Sequence, residues 1–305
     1  MRTLRVATRR SALALTQTQY VVDLLRQVAR DAAFEIVPIR TRGDEIVDRA
    51  LSEVGGKGLF VADIEDALAS GQADLAVHSL KDVPFELRDG LVIGAVPRRE
   101  DPRDALVSRT GQGLFELPAG ARVGTSSLRR QAAIRHLRPD LRVDTLRGNV
   151  DTRLRRLEEG QFDAIVLAAS GLKRLGLAAR ITEYLPVEQF IPAVGQGALA
   201  VECRADDAEV LRYLSAIADA ETTRAVEAER AFLSRLQGSC QVPIGAYAEP
   251  AGRDLRLLAF VAHPAGDGHV RLERTGPDAR ALGAAAAEEA LRQGAEDWLS
   301  AARGD

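Results

Sequence analysis

Two stretches of this 305-residue chain echo each other, and the echo limits its architecture more than any other feature. Arg5-Val6-Ala7-Thr8 resembles Arg122-Val123-Gly124-Thr125, and each is soon followed by a serine able to cap a helix. Ala69-Ser70-Gly71-Gln72-Ala73-Asp74 resembles Glu158-Glu159-Gly160-Gln161-Phe162-Asp163, and each opens an apolar strand. Short apolar strands alternating with helical patterns predict an α/β fold built on mostly parallel sheets. The echo is too weak to prove duplication, but it suggests two lobes of like topology. The first is enlarged by a long loop over residues 41–58, and a loop of that length in a compact unit is usually functional or mobile.

The pattern predicts strands at 4–7, 34–39, 74–78 and from Leu91 in the first lobe, with helices at 12–29 and 60–69 and Ser11 as an N-cap. The charged, Pro-punctuated stretch 98–104 reads as a crossing between domains. The second lobe has strands at 121–124, 142–145 and 163–168 and helices at 128–137 and 150–159, the first capped by Thr125-Ser126-Ser127. The Gly/Pro-rich passage 191–198 returns the chain to the first lobe, and helices follow at 208–216 and 220–236. Antiparallel strands at 246–249, 255–262 and 269–274 and one closing helix at 277–293 complete a small C-terminal α+β domain.

Composition narrows the function. With 46% hydrophobic and 28% charged residues the chain reads as a soluble globular protein. No apolar run approaches the ~18–20 residues of a membrane span, and the N-terminus leads straight into a strand, so the expected location is cytoplasmic. A net charge of −3 gives no global field for nucleic acid. Cys203 and Cys240 form no Cys-x-x-Cys, and His78, His136, His263 and His269 have no ligand spacing, so neither a disulfide framework nor a metal site is expected. Only three of the 41 basic residues are lysines: Lys57, Lys81 and Lys173. Residues 122–156 hold ten arginines, some of them simply on solvated helix faces.

In such lobes ligands sit at the carboxyl ends of strands and the amino ends of helices. Arg9, Ser11, Ser79, Lys81, Asp82, Thr125, Ser126, Ser127 and Arg147 fall there. Arg129 and Arg130 open a helix behind three hydroxyl residues, a good setting for a carboxylate or phosphate, and Arg147 and Arg153 are placed to face the same anion. Asp82 is either a salt-bridged turn residue or an acid that shuttles protons among cations. The 54–58 stretch Val-Gly-Gly-Lys-Gly fails as a phosphate loop, because Leu51 and Gly58 stand where a Gly and a Ser or Thr are required. Gly238-Ser239 and Pro243-Ile244-Gly245 bracket Cys240 in a helix-to-strand turn, where it is either a packed apolar residue or a presented thiol.

Taken in order, several motifs closely resemble the porphobilinogen deaminase (hydroxymethylbilane synthase) family. They are Ala7-Thr8-Arg9-Arg10-Ser11, Val54-Gly55-Gly56-Lys57-Gly58-Leu59-Phe60, His78-Ser79-Leu80-Lys81-Asp82-Val83-Pro84 and Arg99-Glu100-Asp101-Pro102-Arg103-Asp104. Val123-Gly124-Thr125-Ser126-Ser127-Leu128-Arg129-Arg130, Leu146-Arg147-Gly148-Asn149-Val150, Pro192-Ala193-Val194-Gly195-Gln196-Gly197 and Gly238-Ser239-Cys240-Gln241-Val242-Pro243 continue the match to about residue 249. The resemblance implies two periplasmic-binding-protein-like lobes with an active cleft between them, and a C-terminal domain with an antiparallel sheet. Their expected extents are 1–98 with 197–216, then 103–192, then 219–305.

It further implies a monomeric transferase of tetrapyrrole (heme) biosynthesis. Such an enzyme joins four porphobilinogen molecules head to tail on a dipyrromethane cofactor, losing ammonia each time, and water then releases hydroxymethylbilane. Carried over by position, Cys240 holds the cofactor through a thioether, and Asp82 is the catalytic carboxylate that helps expel ammonia. Arg9, Lys81, Arg129, Arg130, Arg147, Arg153 and Arg174 would bind the acetate and propionate groups, with Ser11, Ser79, Thr125, Ser126 and Ser127 as hydrogen-bond donors and Lys57 on the loop. Glu53 departs from some relatives, which carry a second loop lysine there, and Arg10 is given no role. The competing reading is a two-lobed anion-binding or effector-sensing protein without catalysis, for which the thiol at Cys240 would have no use.

Overall fold

The computed structural model describes residues 2–41, 61–236, 242–263 and 268–303. In chain order its main elements are β1 (Arg2–Arg9), α1 (Ala12–Val28), β2 (Ala32–Ile39), α2 (Ala62–Ala69), β3 (Leu75–Ser79), β4 (Leu91–Ala95) and β5 (Asp104–Ser108). There follow β6 (Arg122–Gly124), α3 (Leu128–Leu137), β7 (Arg142–Asp144), α4 (Val150–Glu158), β8 (Ala164–Ala168), α5 (Ala169–Arg174), β9 (Glu183–Leu185) and β10 (Leu199–Arg204). The last are α6 (Ala208–Ser215), α7 (Ala220–Arg235), β11 (Ile244–Ala251), β12 (Asp254–Ala262), β13 (His269–Gly276), α8 (Ala279–Ala290) and α9 (Glu296–Arg303). They divide into two compact units, Met1–Glu100 with Gly197–Arg224 and Asp101–Gln196 with Ala225–Asp305.

The first unit holds a five-stranded sheet in the order β2-β1-β3-β10-β4. β1 runs parallel to β2 along its whole length, from Arg2↔Ala32 to Arg9↔Ile39. Side chains alternate across β1, so Val6 packs with Val22 and Leu25 of α1 while Ala7 packs with Ile64 and Leu68 of α2. Both faces of this sheet are therefore covered, which is why β3 is buried at four of its five residues. α1 starts where expected, with Ser11 Oγ accepting the Ala14 N–H at 3.3 Å.

The second unit holds a sheet with the same order of roles, β7-β6-β8-β5-β9. It also holds the three-stranded antiparallel sheet β11-β12-β13, whose inner face packs on Ala228 and Phe232 of α7 and Leu282 and Ala286 of α8. Phe232 is fully buried there, worth roughly 1.5–3 kcal/mol. The α/β class is the expected one, with a five-stranded mixed sheet in each unit and a small C-terminal α+β part with an antiparallel sheet.

Three local features differ from the sequence pattern. The stretch read as a crossing ends in β5, and the returning passage leads into β10; each runs antiparallel to both neighbours in its sheet. The expected single closing helix is two, because Gly294 takes φ 102° and interrupts the helix between α8 and α9.

Candidate active site

In the first unit the carboxyl ends of parallel strands gather the expected residues. Arg9 ends β1, and Ser11 caps α1 directly after it. Ser79 ends β3, and the tight turn Leu80–Asp82 that follows leaves Lys81 and Asp82 exposed while burying Leu80. The turn is pinned from below: Leu80 N–H donates to Ala198 O at 3.1 Å, and Val83 N–H closes it on Leu80 O. Ser79 Oγ lies 2.9 Å from Nε2 and 3.1 Å from Oε1 of Gln17, a nearly buried residue of α1. From sequence Gln17 counts only as part of the helix's inward face; a polar residue within that stripe was the available signal.

His78, noted from sequence only for its lack of metal-ligand spacing, is buried one position before Ser79. Its Nε2 sits 2.9 Å from Oε2 of Glu202 on β10, and that carboxylate is fully buried. The pair ties the end of β3 to its neighbour just before the Asp82 turn.

The second unit repeats the arrangement. After β6, Thr125 is buried, Ser126 exposed, and Ser127 caps α3 by accepting the Arg130 N–H at 3.4 Å. Thr125 N–H donates to Asp144 O at 3.0 Å, so the carboxyl ends of β6 and β7 are held side by side. Arg147 follows β7 half-buried, and its Nη1 is buried with no hydrogen-bond partner among the described residues. Arg153, in α4, donates from Nε to Gly148 O at 2.7 Å, and Arg174 ends α5, which follows β8.

Arg129 and Arg130 are not splayed at the mouth of the helix. Both are buried and turned onto Asp104, the fully buried first residue of β5. Arg130 reaches Asp104 Oδ1 from Nε at 2.9 Å and from Nη2 at 2.7 Å. Arg129 Nη1 is 2.8 Å from Asp104 Oδ2, but its N–H points at Ile191 O, 2.7 Å away. The second contact is thus an ion pair without hydrogen-bond alignment, which explains why Oδ2 accepts no hydrogen bond. Burial alone would raise the Asp104 carboxyl, yet Arg129 and Arg130 outweigh it and hold the group at about 2. Two cations share one anion, so the cluster keeps a net positive charge.

Two residues with no place in the motif reading as site groups complete this network. Gln196 donates from Nε2 to Asp104 Oδ1 at 2.9 Å and to Pro102 O at 2.8 Å, and its Oε1 faces Arg130 Nη2 at 3.4 Å. Glu229 of α7, fully buried, accepts the Gly195 N–H at 2.7 Å and the Ala248 N–H at 2.9 Å. Gly245 of β11 lies so close to Ile191 O and Pro192 O that a Cβ would approach each at 2.9 Å, and it would meet the Arg129 stem at 3.0 Å. Only glycine fits there.

Cys240 and Lys57, with Glu53 and residues 42–58 of the loop, lie outside the described residues. Cys203, the other cysteine, is buried in β10, and burial pushes its thiol up to about 11. Among the described residues no group of three or more His, Cys, Asp or Glu is arranged to hold a metal. No described helix is long and apolar enough to cross a membrane.

A dipyrrole carrying acetate and propionate groups suits these donors. A buried guanidinium N–H left unpaired costs about 1–3 kcal/mol, and a carboxylate placed on Arg147 Nη1 would recover it. The surplus charge of the Arg129–Arg130–Asp104 cluster acts in the same direction. In each unit the strand ends carry cations and hydroxyls, a chemistry suited to small molecules rich in carboxylates.

Comparison with known proteins specifies the class. Residues 4–212 match the family described as porphobilinogen deaminase, dipyromethane cofactor binding domain, and residues 223–292 match the porphobilinogen deaminase C-terminal domain. Porphobilinogen deaminase of Brevibacillus brevis is 56% identical over 297 residues, covering 97% of this chain and 96% of that protein. Porphobilinogen deaminase of Geobacillus kaustophilus is 52% identical with the same coverage. Among solved structures, the methionine binding protein MetQ aligns with a TM-score of 0.45 and 16% identity, over 72% of this chain and 92% of that one. The chain belongs to the porphobilinogen deaminase family.

Proposed function

We propose that this chain is a transferase that condenses four porphobilinogen molecules head to tail on a dipyrromethane held by Cys240, releasing ammonia at each addition and hydroxymethylbilane at the end. The bound dipyrromethane supplies the fixed end from which the pyrrole chain grows. Asp82, exposed on its turn after β3, passes a proton to the departing amine and then faces the positive charge left on the substrate. Arg9, Lys81, Arg147, Arg153 and Arg174 bind carboxylates directly, and Lys57 does so from the loop. Ser11, Ser79, Thr125, Ser126 and Ser127 contribute hydrogen bonds. Arg129 and Arg130 act chiefly through the surplus charge they keep beside Asp104.

The observation that carries this reading is Arg147, whose buried Nη1 has no hydrogen-bond partner among the described residues and lies past the carboxyl end of β7. Three domains are proposed, 1–98 with 197–216, then 103–192, then 219–305. The net charge of −3 fits a protein without nucleic-acid partners. The proposed working state is a monomer in the cytoplasm. Porphobilinogen consumption by Asp82→Asn tests the central role: the variant should fold and be nearly inactive, and normal turnover would refute it.

A further inference from the structure

We infer that His78 and Glu202 are positioning residues for the Asp82 carboxylate, an inference that rests on the function proposed above. Asp82 stands on the turn that closes β3, and the ladder between β3 and β10 sets where that turn begins. Ser79 lies opposite Leu199, and Leu80 N–H donates to Ala198 O at 3.1 Å. One step further back, His78 lies opposite Ala200 and Glu202 opposite Ala76. The two are diagonal neighbours on the face that Ala76 shares with Ile64 and Leu68 of α2. His78 Nε2 and Glu202 Oε2 meet there at 2.9 Å, with both side chains buried. Val77 and Val201, next to them along each strand, join Val21, Val22 and Leu25 of α1 on the opposite face. A slip of β3 by one residue would turn His78 into that apolar layer and away from Glu202, so the contact admits a single register.

Two features set the pair apart from one kept for stability. Glu202 Oε1 is buried and has no hydrogen-bond partner among the described residues. An oxygen left in that state costs stability that an apolar pair of the same shape would not. The second feature is a shift in the ladder on the other side of β10. Val201 lies opposite Ala95 but Glu202 opposite Ile93, so Gly94 is an extra residue in β4. Bulges re-aim side chains beside functional sites, and this one falls at the residue that grips His78. The far side of the Asp82 loop is held separately, with Arg88 N–H donating to Glu65 Oε1 of α2 at 3.2 Å. Loss of the pair therefore frees the near side of the turn without releasing the loop.

His78→Leu combined with Glu202→Leu deletes the hydrogen bond and the unpaired oxygen together, so the double variant should match or exceed the wild-type Tm. Glu202→Gln, whose amide can donate or accept, keeps the hydrogen bond and serves as the conservative rescue. Full-length chains are compared by thermal unfolding, by hydrogen–deuterium exchange of the peptide spanning 75–83, and by steady-state porphobilinogen consumption. In the double variant the Leu80 and Val83 amides should exchange about tenfold faster, and kcat should fall about tenfold, more than KM rises. Glu202→Gln should restore both. If the double variant does not fold, Glu202→Asp, which withdraws the carboxylate by one methylene, decides on the same readouts. Wild-type exchange at the turn, or wild-type kcat, in the folded variant overturns the inference. A wild-type chain that consumes no porphobilinogen, or normal turnover by Asp82→Asn, sinks the proposed function and this inference with it. Failure of the inference alone leaves both of those results as expected.

Discussion

Arg130 Nη2 and Asp104 Oδ1 lie 2.7 Å apart, with the carboxylate fully buried and the guanidinium nearly so. Arg129 approaches the other oxygen of the same carboxylate at 2.8 Å. Removing that one negative charge leaves two guanidinium groups buried with no anion. Asp104→Asn should therefore destabilise the protein by ~3–5 kcal/mol in urea unfolding. A loss below about 1 kcal/mol would mean that the pair is not buried as described.

The same carboxylate sets an acid limit. Its pKa is depressed from an ordinary 3.8 to about 2, so its contribution to stability is present above the unfolded value and is lost as pH falls through the folded one. The thermal midpoint of wild type should drop steeply between about pH 4 and pH 2, and that drop should be shallower in whatever Asp104→Asn protein folds. Parallel curves for the two proteins would contradict the assignment.

Arg147 separates binding from stability. Because its Nη1 is buried without a hydrogen-bond partner among the described residues, Arg147→Gln should leave the unfolding free energy unchanged or raise it slightly. Steady-state kinetics of porphobilinogen consumption should instead show KM raised about tenfold or more, the cost of one charge-assisted contact to a carboxylate. A variant that unfolds easily and binds normally would make Arg147 a structural residue.

Thiol counting gives a chemical prediction. Cys203 is buried and its thiol is pushed up to about 11, so it should not react with a thiol reagent at neutral pH in the folded protein. With Cys240 capped as a thioether, the purified protein should show no reactive thiol when native and one after denaturation. Two thiols after denaturation would mean that Cys240 is free.

Local chemistry was legible in the sequence and distant pairing was not. The caps Ser11 and Ser127 follow from residues within one helical turn of each other, and both form as expected. β5 and β10 were missed because each carries a buried acid that looks like a surface residue in isolation. Asp104 is paired with Arg130, 26 residues on, and Glu202 is hydrogen-bonded to His78, 124 residues back. These two strands occupy the same position in the two sheets, so one blind spot produced both omissions. Sequence spacing put Arg129 and Arg130 at the head of a helix, but it could not show that Asp104 turns their guanidinium groups inward. Gln17, Gln196 and Glu229 stayed silent for the same reason, since each matters through hydrogen bonds made across the fold.

The central claim is that Cys240 carries a dipyrromethane on which the chain grows. Intact-protein mass spectrometry of the purified protein tests it most directly. The mass should exceed the 32.8 kDa of the sequence by one covalently held dipyrrole and rise further in steps on brief exposure to porphobilinogen. An unmodified 32.8 kDa chain that consumes no porphobilinogen would contradict it.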